Sequence, residues 1–83
     1  MPSTPDEEFE RLFGIPPTHR LVAVRSRVRG GALRATYWEH KEFTPDGRLR
    51  ASYRASEEVG PGGRRLMRWT KIDASGRVER TIG

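Results

Sequence analysis

The chain predicts a mainly β (α+β) fold: a short N-terminal helix, then a five-stranded antiparallel β-meander forming a strongly curled sheet or a small, partly open barrel. Three observations predict it. Turn-forming clusters recur after His19, at Gly30-Gly31, Pro45-Asp46-Gly47, Gly60-Pro61-Gly62-Gly63 and Ala74-Ser75-Gly76. The runs between them are rich in β-branched and aromatic residues at period two. The residues before His19 instead carry helix-start and helix-stop signals. A length of 83 residues fits a single domain, 1–83, in a size range where one core contributes only ~3–5 kcal/mol of net stability.

The helix is expected over about residues 4–13. Thr4 is placed to cap it, Pro5 suits its first position, and Glu7 completes a capping box with Thr4. Acidic residues in the first turn complement the dipole, and Gly14 ends the helix. Phe9, Leu12 and Phe13 share one face, as a short helix that depends on tertiary packing requires. "IPPTH" then reads as a stiff extended link.

Strands are expected over about 19–29, 32–43, 48–59, 64–73 and 77–82. "EFTPDGRLRASYR" is echoed twenty-nine residues later by "KIDASGRVER". Both read as three-residue hairpin loops in which the glycine, Gly47 or Gly76, takes a left-handed conformation. The two stretches are similar to the hairpin units of YD-type or toxin-antidote β-repeats, and no function is carried over from that resemblance. Continued without interruption, the first loop pairs Thr44 with Arg48 and sets Trp38 opposite Arg54, His40 opposite Ser52 and Arg34 opposite Glu58. A Gly30-Gly31 turn sets Val24 opposite Tyr37 and Val28 opposite Leu33. A turn over 60–63 sets Trp69 opposite Arg54 and Arg65 opposite Glu58.

That register collects Val22, Val24, Val28, Leu33, Ala35, Tyr37, Phe43, Leu49, Ala51, Tyr53, Ala55, Val59, Leu66, Ile72, Val78 and Ile82 on one face, the expected core. The other face then carries a row Trp38, Arg54, Trp69, flanked by Arg34, Arg50, Arg65 and Met67, with His40 nearby and Arg25, Arg27 and Arg29 on the first strand. An arginine between two indoles is a cation–π brace, and aromatic rings among arginines also form a stacking platform for bases.

Charge points the same way. Residues 1–17 carry a net −3, leaving +8 on the rest of a chain whose total is +5. A basic body suggests an anionic partner. Fourteen of the sixteen basic residues are arginine, as a GC-rich bacterial genome favours, so many of them also serve as solvated sheet surface. The functional expectation is a small non-catalytic basic β protein that binds single-stranded nucleic acid through Trp38, Arg54, Trp69, Arg25, Arg27, Arg34, His40, Arg50, Arg65 and Met67. The alternative is an adaptor or inhibitor that docks on a protein, or a homodimer that self-associates, through the same face or an edge strand.

Other classes find little support. With no cysteine there is no disulfide framework and no thiolate metal site, and two histidines are too few for a zinc cluster. Glu57 and Glu58 point to opposite faces of a strand and form no carboxylate dyad. "GPGG" at 60–63 lacks the helix and Lys-Ser of a phosphate loop. A His40–Ser52 pair would have no acid to orient it. No cofactor is expected. No apolar run approaches a membrane span and the N-terminus is acidic where a signal peptide is basic, so the expected location is cytoplasmic.

Overall fold

The computed structural model describes residues 5–30 and 34–82, with side chains from residue 8 onward. The expected Thr4 cap with its Glu7 box, and Gly31 and Leu33 of the first hairpin, lie outside those descriptions. Helix α1 (Pro5–Phe13) ends as its sequence predicts. Gly14 has φ 69°, its N–H donates to the Arg11 carbonyl at 3.2 Å, and the Ile15 N–H donates to the Glu10 carbonyl at 2.9 Å. That double bond is a Schellman stop, which satisfies carbonyls the helix leaves unpaired. Phe9 and Phe13 are buried, whereas Leu12 is 40% exposed, so the inward stripe is narrower than expected.

Five antiparallel strands follow: β1 (Arg20–Arg29), β2 (Arg34–Phe43), β3 (Leu49–Val59), β4 (Arg65–Asp73) and β5 (Val78–Ile82). They lie in the order β1-β2-β3-β4-β5, a simple meander. The outer strands do not pair with each other, so the sheet is open and no barrel is closed. Helix α1 lies over one face only. Among the described residues, no helix is long and apolar enough to cross a membrane.

The repeated motif builds the same hairpin twice. Thr44 N–H donates to the Arg48 carbonyl at 2.9 Å and Asp73 N–H to the Arg77 carbonyl at 2.8 Å. Gly47 and Gly76 have φ 84° and 93°, the left-handed conformation that glycine adopts without a Cβ penalty. The first loop residue also accepts through its side chain: Thr44 Oγ1 from Arg48 N–H at 3.2 Å, Asp73 Oδ1 from Arg77 N–H at 2.9 Å. Asp73 further accepts from the Ser75 N–H and hydroxyl, and these donors hold its carboxyl below the usual carboxylate range.

Beyond each loop the register shifts once more, and here the structure overturns the uninterrupted pairing. Phe43 pairs with Leu49, but Glu42 pairs with Ala51, leaving Arg50 as an extra residue. Ile72 pairs with Val78 and Lys71 with Arg80, leaving Glu79 extra in the same way. A bulge inserts one unpaired residue, and one residue is enough to turn the rest of a strand over. Trp38 therefore sits opposite Ala55, and His40 opposite Tyr53. The β3–β4 connection closes with Gly60 N–H donating to the Arg64 carbonyl at 2.8 Å around a 3-10 turn at Pro61–Gly63, which sets Ala55 opposite Trp69. Between β1 and β2, Val28 pairs with Thr36 and Ser26 with Trp38, with a third irregularity at Val24.

The core keeps only Ala51, Tyr53 and Ala55 of the expected apolar list. It is an aromatic cluster in which Phe9, Phe13, Leu21, Ala51, Tyr53, Ala55 and Trp69 are buried, with Ile15, Trp38 and Met67 packed against them. Phe13 stacks on Tyr53 at 4.3 Å between ring centroids and meets Trp69 at 5.1 Å, while Phe9 meets Trp38 at 5.1 Å. Val22, Val24, Val28, Tyr37, Leu49, Leu66, Val78 and Ile82, all expected in the core, are instead exposed.

Candidate functional site

The side chains that touch α1 identify the covered face. Trp38, His40, Tyr53 and Trp69 contact the rings of Phe9 or Phe13. Their neighbours one residue away along each strand point to the opposite face. Among the described residues no element lies over that second face. The shortest extent of the molecule, 19 Å, leaves no room for a third layer at the usual ~10 Å spacing.

The bulge at Val24 decides what this open face carries. Leu21 and Ala23 pair with Glu42 and His40 on the covered side. Without an extra residue, Arg25, Arg27 and Arg29 would follow them there. With it, Arg25 pairs with Glu39, Arg27 with Tyr37 and Arg29 with Ala35, all on the open side. Across β2, Arg54 pairs with Glu39 and Ser56 with Tyr37; beyond β3, Thr70 pairs with Arg54 and Arg68 with Ser56. The open face thus holds Arg20, Arg25, Arg27, Arg29, Lys41, Arg54 and Arg68 against Glu39 and Glu58.

Arg25, Arg27, Arg29, Arg54 and Arg68 are exposed. Among the described residues none of their guanidiniums has a carboxylate within ion-pair distance; the carboxylates that do pair are those of Glu42, Asp46, Glu57 and Glu79. At the centre of the face lies an open depression of about 270 Å³, lined by Arg25, Arg27, Tyr37, Glu39 and Arg54 with Trp38 and Ala55. Tyr37 is 38% exposed there and Glu39 half-buried. The arrangement sets cations around the rim of a shallow floor that carries one aromatic ring and one carboxylate.

Of the residues expected in a binding face, Arg25, Arg27 and Arg54 come together here. The Trp38–Arg54–Trp69 row does not form. Trp69 is 6% exposed beneath α1, and Trp38 packs on Phe9. The cation near the Trp69 ring is Arg80, at 6.0 Å, rather than Arg54. His40 is buried, 4.5 Å from the Phe9 ring centroid, and faces away from Ser52, so the expected His40–Ser52 pair does not form. Met67 packs against the core, Arg50 bonds Glu79 at 2.9 Å, and Arg65 lies 3.9 Å from Glu57. Arg34 ends β2 opposite Val59, in the row of Trp38 rather than of Tyr37. Tyr37 was expected on the core face, and the extra residue at Arg50 is what turns it, with Glu39, to the open side.

A second polar cluster sits on the covered side. The Glu42 carboxylate, 2% exposed, accepts from the Tyr53 hydroxyl at 2.6 Å and from His19 Nδ1. Burial, reinforced by the hydrogen bond to Glu42, pushes the Tyr53 phenol well above its ordinary pKa, which keeps it a donor. The cluster ties the link after α1 to β2 and β3, so it acts as a brace that holds the helix on the sheet. Among the described residues, no three carboxylate or imidazole groups gather in a metal-binding arrangement. No protein-family model, curated protein or solved structure matches the chain.

Proposed function

We propose that the chain is a small, non-catalytic, cytoplasmic β protein that binds single-stranded nucleic acid across the open face of its sheet. Arg25, Arg27, Arg29, Arg54 and Arg68 meet phosphates, and Tyr37 receives a base. The observation that carries this reading is a set of guanidiniums without carboxylate partners, gathered around an exposed aromatic ring on a face that nothing in the described chain covers. Arginines at every second residue of β1 repeat about every 7 Å, a spacing along which an extended strand can thread its phosphates. Among the described residues no helix or loop lies over the open face to enter a duplex groove, whereas unpaired bases lie readily on a ring.

Anisotropy titration of labelled single-stranded oligonucleotides tests the reading. Neutralising about four phosphates gives a slope of about −3 in log K against log salt, and Arg27→Ala with Arg54→Ala lowers affinity at every salt concentration. Absent or salt-independent binding rejects it. Light scattering adds the other arm: a mass that doubles with concentration, with no affinity for the strand, assigns the face to a second copy of the chain.

A further inference from the structure

We propose that Glu39 makes the depression selective for guanine, and only for guanine that is not base-paired; this rests on the nucleic-acid reading above. Glu39 stands in register between Arg25 on β1 and Arg54 on β3. A carboxylate placed there to neutralise those two arginines would pair with them. Among the described residues it forms no ion pair and no hydrogen bond with either, although other carboxylates of the sheet engage their basic neighbours. Its oxygens are therefore acceptors facing a shallow cavity rimmed by guanidiniums.

A phosphate resting on this floor would be repelled by Glu39, so the phosphates belong at the arginine rim and the floor calls for a hydrogen-bond donor. Tyr37 is two residues away on the same face, about 7 Å along the strand. A base lying on the Tyr37 ring brings its edge to the Glu39 carboxylate. Of the four common bases, only guanine presents two adjacent donors, N1–H and the N2 amine, which match the two oxygens of a carboxylate. Cytosine and adenine set an acceptor beside their amine, and thymine or uracil offers one imide N–H between two carbonyls. Those guanine donors lie on the Watson–Crick edge, so pairing hides them and the site reads a single strand.

The test uses the intact chain and three labelled strands: all-thymine, thymine with one central guanine, and the same strand with inosine, which lacks the N2 amine. The expected order is guanine tightest by on the order of tenfold, with inosine and thymine close together. Glu39→Gln, isosteric and on the open face, brings the guanine strand down to the level of thymine while leaving thymine binding unchanged or stronger. Equal affinity for all three strands in the natural protein overturns the guanine inference and leaves strand binding standing. No affinity for any strand overturns the nucleic-acid reading itself. Guanosine monophosphate competing at the strand's own affinity keeps the base recognition and moves the ligand to a free nucleotide.

Discussion

The two faces of the sheet are made from alternate residues of the same strands, yet they solve opposite problems. On the covered side Trp38, Tyr53 and Trp69 meet Phe9 and Phe13, and the enclosed charge of Glu42 receives two donors. On the open side Arg25, Arg27 and Arg54 stand, among the described residues, without carboxylate partners around Tyr37 and Glu39. A buried charge must be satisfied within the chain, because leaving it unpaired costs several kcal/mol. An exposed guanidinium is satisfied by water until an anion replaces it. Stability should therefore reside on one face and binding on the other.

The largest effect expected is from Phe13→Ala, which removes the ring that touches both Tyr53 and Trp69. Truncations of this kind cost about 3–5 kcal/mol, comparable with the whole stability of so small a domain. Chemical denaturation should find this variant largely unfolded; a small loss would mean that α1 contributes little to the core. Tyr53→Phe is milder, at about 1–3 kcal/mol, because it leaves the buried Glu42 one donor short. Next comes Gly47→Ala, at roughly 1 kcal/mol, since its left-handed backbone disfavours any side chain. Arg54→Ala should change stability by less than about 0.5 kcal/mol while weakening strand binding. A large loss of stability from Arg54→Ala would break the division of labour between the faces.

Stability against pH sharpens the same contrast. Tyr53 has a raised phenol pKa, so its contribution is complete below the ordinary tyrosine value of about 10 and is lost as pH rises beyond it. Asp73 and Glu79 are shifted down, Glu79 by the hydrogen bond from Arg50 first. Their contributions are present above the ordinary carboxylate value of about 4 and are lost as pH falls through their lowered folded values. Thermal melts should therefore decline at both ends, and Tyr53→Phe should flatten the alkaline limb while sparing the acid one.

The two kinds of turn show where sequence reading stops. The Thr44–Arg48 and Asp73–Arg77 loops were readable because their glycines and side-chain acceptors act within five residues. The Schellman stop at Gly14 was readable for the same reason. The bulges at Arg50, Glu79 and Val24 were not. Nothing in "RLRAS" or "RVERT" distinguishes a paired arginine or glutamate from an extra one. Arg50 and Glu79 are explained only by each other: each is the unpaired residue of its hairpin, and they meet across β4 at 2.9 Å, with Lys71 joining at 3.4 Å. Their partnership spans twenty-nine residues.

Helix, strands, loops and the basic bias of the sheet thus follow from short-range chemistry: caps, left-handed glycines, period-two patterning and composition. Which side of each strand faces the helix does not. Tryptophan and tyrosine satisfy either face of a sheet, and both alternating sets of β2 mix aromatic with charged residues, Tyr37, Glu39, Lys41 and Phe43 against Trp38, His40 and Glu42, so local preference is nearly balanced. The balance is broken by α1, whose two phenylalanines pack against Trp38, His40, Tyr53 and Trp69 together, something possible only when the extra residue at Arg50 and the register of the β3–β4 turn bring those rings to one side. The arginines were then left on the other face, because a side chain two residues along a strand shares a face and a side chain one residue along cannot.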